Sequence, residues 1–302
     1  MALQEQKYES GFDMNDPFPY GKFEPTHFMQ RLITITSGQP DTWFGRRMSF
    51  FLRSFAILLL GNKPVDIERC GAKMRLYPRR NFCEKRVLFT PQYCDHEELD
   101  ILESYIKQKD EEFCFIDIGA NIGAYSLFAA GCAHKGARIL AVEPQPVIFE
   151  RLIYNIQQNS QGYIKAVGCA VADKTGEITL FINHRDRGRS SIRIVDTASM
   201  DSVRVPAVTL LDLLDKEGIS RTDIVKLDVQ GAEDIILTSF FRDAPKSLYP
   251  ELIIIEDKDG LENPEMPALL VSKGYECLKR IRTKLIYRKG KGHCDENTIR
   301  KD

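Results

Sequence analysis

The sequence predicts an α/β fold of the Rossmann-like, doubly wound kind, built on a mostly parallel sheet. Three observations lead there. From Glu112 onward short apolar runs alternate with helical stretches: FCFIDI then NIGAYSLFAAGCA, RILAV then PVIFERLIYNIQQ, TDIVKLDV then AEDIILTSFF, then ELIIIED. The runs lack in-out alternation, as strands buried on both faces require, and strand–helix repetition marks a parallel sheet. The chain then closes on two strand-like stretches, residues 275–279 and 284–287, whose short connection predicts an antiparallel C-terminal hairpin.

Earlier in the chain the signals are of another kind. Residues 1–45 are polar, with Pro17, Pro19, Pro25 and Pro40, and read as an irregular arm. Residues 48–60, MSFFLRSFAILLL, read as an apolar helix stopped by Gly61 and Pro64. Its uninterrupted part falls short of the roughly 20 apolar residues a spanning helix needs, so no transmembrane segment is expected. The helix packs on the main domain in one reading; in the other it makes a peripheral membrane contact or a dimer. Residues 1–69 are accordingly taken as a helical and irregular extension, and 70–302 as the main domain. AKMRLYP and RVLFT, between Cys70 and Thr90, read as two short strands. Residues 96–107 carry Leu99, Leu102, Tyr105 and Ile106 at the spacing of an amphipathic helix. Residues 177–183 read as an additional strand after the turn 173–176.

Bulk properties narrow the function. Hydrophobic residues make up 43% of the 302 and charged residues 28%, the balance of a soluble globular protein. With 42 basic and 43 acidic side chains there is no basic excess of the kind that phosphate-backbone binders carry, so no nucleic-acid partner is expected. Eight cysteines include no CxxC pair, and several lie in apolar runs; all eight are expected to be reduced and structural, a cytoplasmic pattern. The first residues lack the apolar core of a secretory signal. The five histidines show no metal-ligand spacing, so no metal site is expected.

The segment FIDIGANIGAYSLFAA combines a buried strand, a sharp turn and a helix. Gly119 and Gly123 permit a backbone that a side chain would obstruct, and let a ligand approach the main chain. The helix after Asn121 presents free N–H groups. Glu143 follows Gly123 by 20 residues and ends the next strand, where a carboxylate accepts hydrogen bonds from ribose hydroxyls. A dinucleotide fingerprint would need glycine at 121 and 124, where this chain has Asn121 and Ala124. Asp117 at the strand end is a poor neighbour for a pyrophosphate and a good one for an ammonium group. S-adenosyl-L-methionine carries an ammonium and a sulfonium and no phosphate, so the electrostatics favour it over a nicotinamide cofactor.

DIGANIGAYSL, AVEPQPVIFERLIYNI, AVADKTGEITLF, VTLLDLL and IVKLDVQGAEDIIL, in that order, resemble the FkbM family of class I methyltransferases. The resemblance runs from about Cys70 to about Tyr287 and implies O-methylation of a hydroxyl on a sugar, glycan or secondary metabolite, a small-molecule or glycan acceptor. It also implies that Asp117, Gly119, Asn121 and Gly123 line the methionine end of the donor. Glu143 would hold its ribose, Asp173 would face the adenine amine, and catalytic Asp228 would sit near the transferred methyl. Ser190-Ser191 match a serine-bearing stretch near the family's substrate entrance. Many relatives have Glu where this chain has Gln230, which removes a carboxylate and puts a metal role in doubt.

Other carboxylates at strand ends, Glu233, Glu256 and Asp257, are further candidates for a general base. Lys226, inside the apolar strand IVKLDV, either pairs with a carboxylate such as Asp228 or Glu256, the expected arrangement, or reaches out at the sheet edge. The loop 183–192 holds His184, Arg185, Arg187 and Arg189, which suit an anionic acceptor or simply solvent. The competing functions are a nicotinamide-dependent oxidoreductase and a non-catalytic nucleoside-binding scaffold.

Overall fold

The computed structural model describes residues 18–290 except 80, 94–95, 110–111, 135, 161–162, 184–189, 192–199 and 257–264. Two helices, α1 (His27–Ser37) and α2 (Trp43–Leu60), precede a hairpin of β1 (Val65–Arg69) and β2 (Ala72–Leu76). Helices α3 (Phe82–Phe89) and α4 (His96–Lys107) lead into an alternation of β3 (Cys114–Ile118), α5 (Ala124–Cys132), β4 (Arg138–Val142), α6 (Pro146–Gln157) and β5 (Ile164–Val167). Four strands follow, β6 (Ala170–Val171), β7 (Gly176–Asn183), β8 (Ser190–Ser191) and β9 (Met200–Val208), then α7 (Leu210–Lys216). The alternation resumes with β10 (Ile224–Leu227), α8 (Glu233–Asp243), β11 (Leu252–Glu256) and α9 (Glu265–Ser272), and ends in β12 (Tyr275–Ile281) and β13 (Lys284–Lys289).

The main sheet has the order β12-β13-β11-β10-β3-β4-β5, parallel from β11 to β5 and antiparallel at β13 and β12. The chain winds outward from β3 to β5, then returns to lay β10 on the other side of β3. The order therefore reverses between β3 and β10, where open α/β sheets form their ligand crevices. Alternate residues of these strands serve opposite faces. Ile116, Ile118, Val225, Leu227, Ile253 and Ile255 pack with Leu213, Ile236 and Phe240 on one face. Phe115, Ile224, Leu252 and Ile254 pack with Leu102, Ile106 and Ala129 on the other. Each large apolar side chain so buried contributes roughly 1.5–3 kcal/mol relative to exposure, which is why these runs show no polar alternation.

The remaining strands form a second sheet, β6-β9-β7-β8. Its β7 agrees with the additional strand expected at 177–183. Its long partner β9, in MDSVRVPAV, was not foreseen, because Asp201, Arg204 and Pro206 break the apolar pattern.

Three expectations about the N-terminal part need correction. The arm contains α1, capped by the Thr26 hydroxyl, which accepts from Met29 N at 3.3 Å, and buries Met29, Leu32 and Ile33 at helical spacing. RVLFT is not a strand but the end of α3, because Asn81 accepts from Glu84 N and starts a helix upstream. The boundary between 69 and 70 cuts the β1–β2 hairpin, whose register joins Arg69 to Ala72. Moreover α1, α2 and the hairpin share one apolar cluster with Ile122, Leu127 and Ile148. Asn155 ties the two parts further: its side chain accepts from Arg75 N at 2.8 Å and donates to Ile122 O at 3.1 Å.

Among the described residues no helix is long and apolar enough to cross a membrane. The described cysteines are free thiols. Burial raises the Cys114 thiol to about 12 and Cys169 to about 11, as inert core thiols. Cys70 and Cys277 are exposed, so a structural role does not extend to them; Cys94 and Cys294 lie outside the described residues.

Candidate active site

The turn after β3 has left-handed backbone at Gly119 (φ +74°), Asn121 (φ +51°) and Gly123 (φ +89°). A Cβ on Gly119 would stand 2.1 Å from the Asp228 carbonyl oxygen, and one on Gly123 would stand 2.7 Å from Leu152 Cδ1. The glycines are therefore needed first for packing: the turn lies directly against the end of β10, and α5 lies against α6. Ligand approach alone does not account for them.

Asn121 is held from two sides. Its Oδ1 accepts from Asn81 Nδ2 at 3.2 Å and from Ile122 N at 3.0 Å. Its backbone N–H donates to Glu143 Oε2 at 2.9 Å, while Glu143 Oε1 accepts from Gln145 N at 3.0 Å. Burial raises the Glu143 carboxyl to about 7, although these two N–H groups act in the opposite sense.

A cavity of about 560 Å³ opens where the strand order reverses. Gly119, Asn121, Glu143, Pro144, Val171 and Asp228 line it near the strand ends. Phe82, Tyr93, Tyr125, Phe128, Arg282 and Lys284 line it as well. Apolar and aromatic walls with a few convergent polar groups are the usual make-up of a small-molecule site.

Three expected site residues, Asp117, Gly123 and Asp173, stand apart from this lining. Asp117 is fully buried, and both its oxygens are engaged: Oδ1 with Lys226 Nζ at 2.9 Å and Oδ2 with Ser126 Oγ at 2.7 Å. The expected partner of Lys226 is corrected by this geometry. Asp117 and Lys226 are register partners on adjacent strands, so they project side by side on the same sheet face, whereas Asp228 lies beyond the strand end. The ammonium keeps its proton strongly: burial lowers its pKa, but Asp117 and Asp228 raise it further. Asp173 is exposed at the start of the turn before β7; its carbonyl accepts from Ser239 Oγ at 3.2 Å, and its carboxylate lies near the Arg242 guanidinium.

Asp228 does face the cavity, inside a polar cluster that the sequence did not reveal. Gln230, in left-handed backbone (φ +60°), points Nε2 at both Asp228 Oδ1 and Glu256 Oε2, each at 2.8 Å. Burial pushes the Asp228 carboxyl up, but Lys226 and Lys284, with hydrogen bonds from Glu256 and Gln230, hold it down to about 2. Lys284 is the register partner of Glu256 and donates to the Tyr125 hydroxyl at 2.7 Å. Its sequence signal was a single cation opening the apolar run LIY in the C-terminal hairpin. Tyr125 had no signal beyond its place in the first helix of the fingerprint.

Glu233 has other work. Its two oxygens accept from Val229 N at 3.0 Å and Gly231 N at 2.9 Å, so it holds the turn that carries Asp228 and Gln230. Asp257 and the basic side chains of 183–192 lie outside the described residues, as do the side chains of Ser190-Ser191. Among the described residues no group of three or more His, Cys, Asp or Glu side chains is placed to hold a metal ion.

The sequence matches the family described as the methyltransferase FkbM domain over residues 117–277, a span that includes the turn after β3, Glu143 and Asp228. The chain belongs to the FkbM methyltransferase family. It is 27% identical over 190 residues to methyltransferase sdnD of Sordaria araneosa, covering 53% of this chain and 73% of that one. It is 25% identical over 189 residues to the 31-O-demethyl-FK506 methyltransferase FkbM of Streptomyces tacrolimicus, covering 53% and 71%. A solved structure described as the METTL16 MTase domain aligns over 86% of this chain and 90% of that one, at 16% identity and a TM-score of 0.48. As an FkbM-family protein this chain is a methyltransferase; α1, α2 and the β1–β2 hairpin lie before the matched residues.

Proposed function

We propose that this protein transfers the methyl group of S-adenosyl-L-methionine to a hydroxyl oxygen of a small-molecule or glycan acceptor. The observation that carries the reading is one cavity joining Glu143 at one part of its lining to the Asp228–Gln230–Glu256 cluster at another. Glu143, fixed by two backbone N–H groups, keeps lone pairs for the ribose hydroxyls of a nucleoside. The residues fit the donor in charge as well, since the Asp228 carboxylate faces the cavity where a cationic group would lie. Asp117 contributes indirectly, by neutralising Lys226 below the site. The 31-O-demethyl-FK506 methyltransferase among the relatives acts, by its description, on an oxygen.

The donor supplies a methyl group already activated for attack. The protein's work is alignment of the acceptor oxygen, worth roughly 7–11 kcal/mol when near ideal. Asp228 accepts the hydrogen bond of the acceptor hydroxyl and so points an oxygen lone pair at the methyl carbon. As the new C–O bond forms and the C–S bond breaks, the hydroxyl proton becomes strongly acidic. The Asp228 carboxylate, kept ionised by Lys226 and Lys284, is then placed to take it and pass it to solvent. Gln230 keeps Asp228 turned toward the cavity.

The test is calorimetric titration of the purified protein with S-adenosyl-L-methionine and S-adenosylhomocysteine, followed by a labelled-methyl screen over glycan, small-metabolite and RNA fractions. Micromolar binding with label in a hydroxyl ether supports the reading. No heat at millimolar donor refutes it, and label in an RNA base refutes the acceptor class.

A further inference from the structure

We infer that α1 and α2 form a docking face for an anionic lipid surface, on which the protein lies without crossing the bilayer. Helix α2 is built in the reverse sense to an ordinary surface helix. It buries its small residues, Gly45, Ser49 and Ala56, and turns its large ones to solvent. Trp43, Phe51 and Leu58 are 74%, 70% and 73% exposed, and Phe44, Phe50, Phe55 and Leu59 are exposed beside them. At 3.6 residues per turn these side chains form one stripe, opposite the buried one. Small residues fit because α2 packs close: a Cβ on Gly45 would stand 2.2 Å from the Pro40 carbonyl oxygen, and Ser49 Oγ donates to Thr36 O at 3.0 Å. Helix α1 buries Met29, Leu32 and Ile33 and exposes Phe28, Arg31 and Ile35.

Charge selects the occupant. Neither helix contains a carboxylate, while α2 carries Arg46, Arg47 and Arg53, and α1 carries Arg31. Arg46 is paired with Asp41, Arg47 lies 5.4 Å from the Trp43 ring centroid and Arg53 lies 5.0 Å from that of Phe50. Guanidinium groups laid over the aromatic rings of an apolar stripe are arranged for the boundary between headgroups and acyl chains. A second copy of the chain is disfavoured, since a two-fold contact would set these arginines against their own kind. Helix α2 is too polar to span, which leaves the in-plane mode.

The side of α2 opposite this stripe adjoins the cavity. Tyr93 and Asp41 both line that cavity; the Tyr93 hydroxyl donates to Pro40 O at 3.1 Å and lies 3.2 Å from Ser49 Oγ. The inference does not depend on the proposed methyl transfer.

The test is flotation of the full chain with phosphatidylcholine vesicles, with and without phosphatidylglycerol. Binding that requires phosphatidylglycerol and weakens with salt is expected. Arg31→Ala and Arg47→Ala should each weaken it about fivefold, the usual worth of one cation near an anionic surface. Phe51→Ser with Leu58→Ser should weaken it by at least about tenfold, with an unchanged melting temperature because both side chains are exposed. No binding, or equal binding to both vesicles, overturns the inference. So does a dimer in sedimentation equilibrium that Phe51→Ser with Leu58→Ser dissolves. Donor titration on the same samples separates the two readings: lipid binding without donor binding would fault the catalytic one alone.

Discussion

Lys226 Nζ stands 2.9 Å from Asp117 Oδ1, and the two residues are register partners on the central parallel strands β10 and β3. Both are buried, and each makes the other tolerable inside the sheet. Lys226→Met leaves the Asp117 carboxylate with Ser126 and without its ion-pair partner. We expect a loss of about 3–5 kcal/mol in urea unfolding, with a smaller loss when Asp117 and Lys226 are both replaced by leucine. A single variant within about 1 kcal/mol of wild type would show that the pair is not isolated from other charges.

Glu143 couples stability and donor binding to pH in opposite senses. Its carboxyl titrates at about 7 in the folded protein against an ordinary 4.5, so between these values the folded state binds the extra proton. Its contribution to stability is full below about 4.5 and is lost as pH rises through about 7. Ribose hydroxyls donate to the ionised form, so donor affinity should rise with pH to a plateau above about 7 and fall up to tenfold per unit below it. Calorimetry between about pH 5.5 and about 8.5 checks this, and Glu143→Gln should flatten the profile. A flat wild-type curve would contradict the ribose assignment.

Asp228→Asn keeps shape and removes charge. Turnover should fall by roughly 10²–10⁴ while donor affinity changes less than tenfold. Steady-state kinetics beside donor titration separates the two. An unaltered kcat would transfer the role to Glu256.

Gln230→Glu replaces the amide donor between Asp228 and Glu256 with a third carboxyl group. Hard divalent cations favour such oxygen clusters. Millimolar magnesium should raise the melting temperature of this variant and leave that of the wild type unchanged. Equal responses would show that the cluster's geometry does not suit a cation.

Deleting residues 1–45 should abolish soluble, folded protein. Gly21 N and Phe23 N donate to Asp66 Oδ2 at 2.9 and 3.1 Å, and Arg75 donates to the Phe18 and Pro19 carbonyl oxygens at 2.9 Å each. The deletion strips these partners from a buried ion pair and removes Met29, Leu32 and Ile33, worth roughly 1.5–3 kcal/mol each, from a domain with typically 5–15 kcal/mol in hand. Near-UV circular dichroism and a melting curve of the truncated chain decide; a native transition would mean that the arm is dispensable, as its polarity alone implied.

Read as a string, the chain determined its sheet, its hairpin finish, the turn 119–123 and the place of Glu143. These depend on periodicity and on residues close in sequence, where a glycine or an apolar run has one local meaning. What tertiary structure decided is every pairing across distance. Asp117, expected beside the donor, faces Lys226 because strand register sets them side by side, and register between strands separated by 109 residues is not a local property. Lys284 and Tyr125 join Asp228 and Glu256 only because β13 runs antiparallel beside β11. The polar segment 18–23 looked free because the partners of its backbone, Asp66 and Arg75, lie in a hairpin 40 and more residues away. Helix α2 was legible as a helix. Which of its faces is covered depended on how closely α1 and the Pro40 turn approach, and that contact left its large apolar side outside.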